Sequence, residues 1–287
     1  MKGHRRGIAI AVLLTLGFTG LGRAAPDAIP GKGIGYCGPL KDIAAAKAAG
    51  FDYIEVRTSE VAALSDAEFE ALAAELKQLA YPAPAAYWFV PAEIKLTGPA
   101  IDKDRQMEYL HRALDRVARL GVRVIVFGSG GARQVPEGFA MDEAFRQLVD
   151  FGKRAGPEAR KRNITIAIEP QRREECNIIN STAEALRWVE AVNDPNMQLM
   201  IDYYHFSVEK EDPAIILKAK GHLRHLHMAN PNHRVMPLDW EEYNYGPFFA
   251  ALRQIHYGDL IGLEASPNNL ASDGPKTIAL LRRALEW

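Results

Sequence analysis

Residues 166–177 read "IAIEPQRREECN": a β-branched apolar run that ends at Glu169 and gives way at once to proline and charge. Three apolar or small residues ahead of Glu169, bounded by Pro170, have the composition of a buried parallel strand. A carboxylate at the end of such a strand is costly unless something compensates it. The same arrangement recurs: "MQLMID" (197–202) ends in Asp202, "LRHLHM" (223–228) carries His227 and "DLIGLE" (259–264) ends in Glu264. Upstream, "GIGYCG" (33–38), "DYIEV" (52–56), "APAAYWFV" (83–90) and "VRVIVFG" (122–128) complete eight strand-like segments. Amphipathic stretches lie between them; in "DRQMEYLHRALDRVARLG", Leu110, Leu114, Val117 and Leu120 recur at helical spacing and Gly121 stands at the C-cap. Ser181 and Glu184 form a capping-box pattern ahead of another helix.

Eight strands alternating with helices predict a single-domain (β/α)₈ TIM barrel. No G-x-G-x-x-G follows the first strand, which removes the usual reason to prefer an open dinucleotide-binding sheet. In a closed parallel barrel all strand C-termini share one rim. Four consecutive strands therefore deliver Glu169, Asp202, His227 and Glu264 to one place. Three carboxylates so close would repel one another unless a cation sat among them. Oxygen-rich coordination with one imidazole suits one divalent metal ion, Mn²⁺ ahead of Mg²⁺ or Co²⁺, with Zn²⁺ less favoured. His225 points the same way as His227, one layer deeper, and suits a role behind the ligands or in the core.

Composition excludes other classes. The chain has 287 residues, 48% apolar and 25% charged, with a net charge of −1, so nothing favours nucleic-acid binding. Residues 1–25, with Lys2, Arg5 and Arg6 ahead of an uncharged apolar stretch and small residues at Ala24 and Ala25, have the pattern of a secretory signal peptide. The arginine pair raises the twin-arginine route. The expectation is an exported, periplasmic protein whose domain spans 26–287, with no stable membrane insertion once the leader is removed. Cys37 and Cys176, after strands one and five, lie on opposite sides of the barrel and are expected to stay unpaired.

Around the four ligands lie polar groups able to hold a polyol: His205 in "DYYHF", Arg234 in "NPNHRVMP", and Arg173 and Glu175 after strand five. Tyr36, Trp88 and Phe89 stand near the ends of strands one and three, where they either line the pocket or join the core. "GSGGAR" (128–133) reads as a tight turn after strand four rather than a phosphate cradle.

Taken together these segments resemble the xylose isomerase-like barrel family, in particular its ketose 3-epimerases. "EPQRREECNIINS" resembles that branch's E-P-x-x-R-x-E segment, with Glu169, Pro170, Arg173, Glu175 and Asn180 in place. "IDYYH" is similar to its D-x-x-H segment through Asp202 and His205. "HMANPNHRVMP" matches a His-to-Arg loop through His227 and Arg234, and "IGLE" its closing strand through Glu264. The chain departs at Arg172, where Asn is more usual, in a loop from His227 to Arg234 one residue longer, and at Pro237–Trp240, which replaces a Pro-Gly-x-Gly turn. The resemblance implies a metal-dependent sugar isomerase or epimerase with Glu169 and Glu264 as paired bases, a small carbohydrate substrate bound by Glu175, His205, Arg234, Arg173 and Trp88, and a homo-oligomer. A dehydratase or lyase acting on a keto-sugar or 3-keto-glycoside is the alternative. Repair nucleases of this barrel carry further histidines on the preceding strands, which "WFV" and "FGS" lack. A sugar-binding protein without catalysis would have no need of four ligands.

Overall fold

A computed structural model describes residues 32–286. Its eight strands, β1 (Ile34–Cys37), β2 (Tyr53–Arg57), β3 (Ala85–Tyr87), β4 (Val124–Phe127), β5 (Thr165–Ile168), β6 (Met197–Asp202), β7 (Leu223–Met228) and β8 (Ile261–Leu263), close in sequence order into one parallel barrel. The register closes between Tyr36 of β1 and Leu263 of β8. The leader expected at residues 1–25 lies outside the described residues. Among the described residues no helix is long and apolar enough to cross a membrane.

Side-chain alternation divides the apolar interior in two. Outward-facing residues such as Ile54, Val56, Ile125, Ile166 and Ile168 pack beneath the helices in one continuous cluster. Inward-facing Cys37, Tyr87, Val126, Ala167 and Met200 fill the lumen as a smaller one. The helix Lys103–Arg119 buries Leu110, Leu114 and Val117 against the sheet, and Gly121, at φ +90°, terminates it. Each of those side chains is worth roughly 1.5–3 kcal/mol on burial, against about 1 kcal/mol for a cap, so packing rather than capping decides that helix. The helix Thr182–Val192 forms half of the expected capping box. Ser181 accepts from Glu184 N, but the Glu184 carboxylate accepts from Asn180 N instead of Ser181 N.

Candidate active site and metal centre

β6 and β7 pair in parallel with a register shift between Leu199 and Ile201, beyond which Asp202 and His227 are neighbours. Glu169 and Glu264 each stand one residue beyond their strand, after β5 and β8. One ligand atom from each of Glu169, Asp202, His227 and Glu264 lies within 4.8 Å of all the others. Local geometry supports each of them. Asp202 is the N-cap of the helix Tyr203–Val208, accepting from Tyr204 N at 2.9 Å through Oδ1, which leaves Oδ2 for the pocket. Glu169 lies where a Cβ on Gly128 would stand, so the first glycine of "GSGGAR" makes room for it. Gly130 and Gly131 likewise yield space to Gln171 and Ala92, which gives the turn a packing role.

Electrostatics bind the group together. Arg234 Nη2 donates to Asp202 Oδ2 at 3.0 Å and to Glu264 Oε2 at 2.8 Å, while its guanidinium rests 4.8 Å from the Tyr204 ring centre. His227 Nδ1 is 3.0 Å from Glu264 Oε2. Burial raises the Glu169 carboxyl and the charges of Glu264 and Asp202 add to that, pushing it up to about 8. Burial acts upward on Glu264 too, but Arg234 and His227 outweigh it and hold that carboxyl down to about 2. His205, buried over the cluster, has Nε2 at 3.7 Å from Asp202 Oδ2 and 3.9 Å from both Glu169 Oε1 and Glu175 Oε2; burial depresses its basicity.

Arg234 reaches this position at a conformational cost. His233 and Arg234 are both left-handed, at φ +66° and +53°. Such residues cost of order 1–3 kcal/mol each and persist only where the surroundings impose them. Backbone bonds from Asn230 N to Val235 O (2.8 Å) and Ser266 N to Arg234 O (2.9 Å) impose them here, tying the long loop to the chain after β8.

The mouth is a cavity of about 470 Å³ lined by Tyr36, Arg57, Tyr87, Trp88, Arg234 and Glu264. Trp88 is 51% exposed, at φ +50°, with the Arg57 guanidinium 4.2 Å from its ring centre. Phe89 is core instead, packed on Phe127 and Phe151. Glu175 sits on the rim with Arg172, 2.8 Å away, and Arg234. Arg173, expected among the substrate groups, is not brought there: its guanidinium pairs with Glu209 and its side chain is largely exposed. The turn after Gln171 aims Arg172, not Arg173, at the pocket. Cys37 and Cys176 are both buried and free.

Three participants escaped the sequence reading. Glu55, wholly buried in β2, accepts from His227 Nε2 at 2.8 Å and His225 Nε2 at 3.0 Å. Burial pushes its carboxyl up, but the two imidazoles overcome that and keep it well below the ordinary carboxylate range. Arg133, also fully buried, donates to the Glu169 carbonyl at 2.9 Å and supports the strand end from below. Arg57 braces the mouth by donating to Tyr87 Oη at 2.9 Å. A glutamate within "YIEV" was the available signal for Glu55, since an acid inside a buried strand requires partners.

The chain is 30% identical over 232 residues to the L-ribulose 3-epimerase of Methylomonas sp. (strain DH-1), covering 79% of this chain and 78% of that protein. It is 26% identical over 234 residues to the D-psicose 3-epimerase of Agrobacterium fabrum, covering 75% of each. These relatives are isomerase-class enzymes. The crystal structure of D-allulose 3-epimerase from Methylomonas sp. in complex with D-allulose superimposes with a TM-score of 0.77 at 25% identity, over 89% of this chain and 98% of that one. The family described as xylose isomerase-like TIM barrel matches residues 43–287, and the chain belongs to that family.

Proposed function

We propose that this protein is a divalent-metal-dependent sugar epimerase of the ketose 3-epimerase type, moving a proton beside a ketose carbonyl. The observation that carries this reading is the convergence of Glu169, Asp202, His227 and Glu264 on a space that all four can reach. The donor set fits a hard cation: three carboxylates and one imidazole, with the buried Oε1 of Glu169 left without a hydrogen-bond partner. Mn²⁺ is the favoured ion, with Mg²⁺ and Co²⁺ sharing its preferences. When bound, the ion supplies Lewis-acid polarisation of the carbonyl and neutralises the carboxylates around it.

The chain's own groups supply the remaining chemistry. Glu169 and Glu264 come from β5 and β8, with β6 and β7 between them, so their carboxylates approach a bound sugar from different sides. One takes the proton from the carbon next to the carbonyl, and the other returns a proton to the opposite face, inverting the centre. Arg234 and His205 hydrogen-bond the sugar oxygens and set its register, with Glu175 on the rim beside them. Tyr36 and Trp88 wall the mouth against water. The leader at residues 1–25 would place this reaction in the periplasm, which the mass of the mature N-terminus tests.

The test is to strip the purified protein of metal, reload it with Mn²⁺, and incubate it with a ketose panel and 3-keto-glycosides in D₂O. Deuterium at the inverted carbon, lost on stripping and restored on reloading, is the expected result. Release of water or an aglycone would assign the same proton removal to a dehydratase or lyase. Absence of exchange on every carbonyl sugar tried, with metal bound, would overturn the reading.

A further inference from the structure

Glu55 lies on the far side of His227 from the pocket, and among the described residues no lysine or arginine pairs with it; its polar partners there are the two imidazoles of β7. An ionised carboxylate has only lone pairs to offer, so the nitrogen facing each of its oxygens must carry the hydrogen. His227 Nε2, at 2.8 Å from Oε1, and His225 Nε2, at 3.0 Å from Oε2, are therefore both N–H donors. The opposite arrangement would set two acceptors against each other at 2.8 Å in the interior. With Nε2 committed to Glu55, the nitrogen of His227 that faces Glu264 and Glu169 is Nδ1, and the hydrogen it shares with Glu264 Oε2 at 3.0 Å is the one a bound cation would displace.

A second feature of the barrel maintains this contact. Glu55 and His227 belong to β2 and β7, and must meet across the lumen past β1 and β8. The β8 partner of His227 is Gly262. A Cβ there would run into Glu55 Oε2, and would stand 2.8 Å from Cys37 Sγ and 3.0 Å from His227 Cδ2. The β3 neighbour of Glu55 is Ala85, also small. Small residues at Gly262 and Ala85, with the Cys37 thiol of β1 between Glu55 and β8, thus leave room for one carboxylate to reach two histidines.

We infer that Glu55 is a positioning residue that holds His227 as its Nε2–H tautomer and so turns the Nδ1 lone pair toward the cation. The inference rests on the metal-site reading above. A merely structural Glu55 would affect stability; a tautomer-setting one changes metal affinity and ring protonation in a folded protein. Outer partners of ligating histidines typically contribute about 10–100-fold to metal affinity.

The experiment compares the full-length wild-type protein with Glu55→Gln, which keeps the volume but can offer an amide N–H to the imidazole. Affinity for Mn²⁺ alone is measured by calorimetric titration, beside the melting temperature of each metal-free protein. Ring ¹⁵N shifts of the Mg²⁺-loaded wild type report the tautomer without any substitution. Expected are a protonated Nε2 and an unprotonated Nδ1 on His227, and Mn²⁺ binding weakened about 10–100-fold in a folded E55Q. Wild-type binding retained within about threefold in E55Q, or a hydrogen found on His227 Nδ1, would overturn the inference while leaving the metal site standing. A wild type that takes up no metal would overturn both. Should E55Q not fold, the wild-type ring shifts alone decide.

Discussion

Arg234 donates to Asp202 Oδ2 at 3.0 Å, placing a permanent cation inside the carboxylate cluster. Removing it as Arg234→Met leaves buried acids without that partner. The metal-free variant should lose roughly 1–3 kcal/mol, below the cost of opening a fully buried pair because Arg234 is partly exposed. A divalent ion replaces the missing charge, so saturating Mn²⁺ should raise the melting temperature of the variant more than that of the wild type. Thermal melts with and without metal check this; equal shifts would show that Arg234 does not act as counter-charge.

Gly128 gives Glu169 its space. Gly128→Ala would drive a methyl into Glu169 Oε2, with Gln171 Nε2 2.9 Å from the same point. Overpacking of this kind costs about 1–3 kcal/mol. Shifting a reacting carboxylate by about 1 Å costs on the order of 10²-fold in turnover. Ketose exchange rates beside a melting curve separate the two effects, and an unchanged exchange rate would mean that the Glu169 position is not critical.

Trp88 combines exposure with a left-handed backbone, so its conformation is held by the pocket rather than by burial. Trp88→Gly adopts that backbone freely, and the fold should change by no more than about 1 kcal/mol. Loss of the aromatic wall should raise KM roughly 3–10-fold with kcat kept. A fall in kcat at constant KM would instead place Trp88 in the chemical step.

Glu211 gives the clearest pH dependence away from the site. It accepts from Thr182 N at 2.8 Å, yet burial, the largest effect, pushes its carboxyl up from 4.5 to about 7. The folded chain therefore holds this proton to higher pH than the unfolded chain does, and stability falls as pH rises from 4.5 through 7. The loss reaches roughly 3 kcal/mol above that window. Glu211→Gln keeps an acceptor oxygen and carries no charge, so it should melt with the wild type near pH 4.5 and some degrees above it at pH 8. A variant less stable than the wild type at pH 8 would refute this.

Much of the architecture was legible because parallel barrels write themselves as short apolar runs separated by helical periodicity. β6 and β7 occupy the residues expected, 197–202 and 223–228. β3 and β8 are shorter than their apolar runs suggested, because Trp88 turns left-handed out of the sheet and Glu264 already faces the pocket. The four ligand candidates were visible for the same reason, but only jointly: a single strand-end acid can be a helix cap, as Asp202 also is, whereas polar groups on four consecutive buried runs call for a shared compensating charge. The placement of Arg173 was not legible, because residues on a loop carry no periodicity to say which neighbour turns inward: Arg173 pairs with Glu209, and Arg172 with Glu175.

What the linear chain determined alone was the alternation of strands and helices, and with it a shared rim for the last four strand ends, because side-chain period and helix period are local properties. Only the folded barrel decided that Glu55 and His227, 172 positions apart, meet across the lumen. That contact depends on closure and on the space above Gly262, which no local pattern encodes.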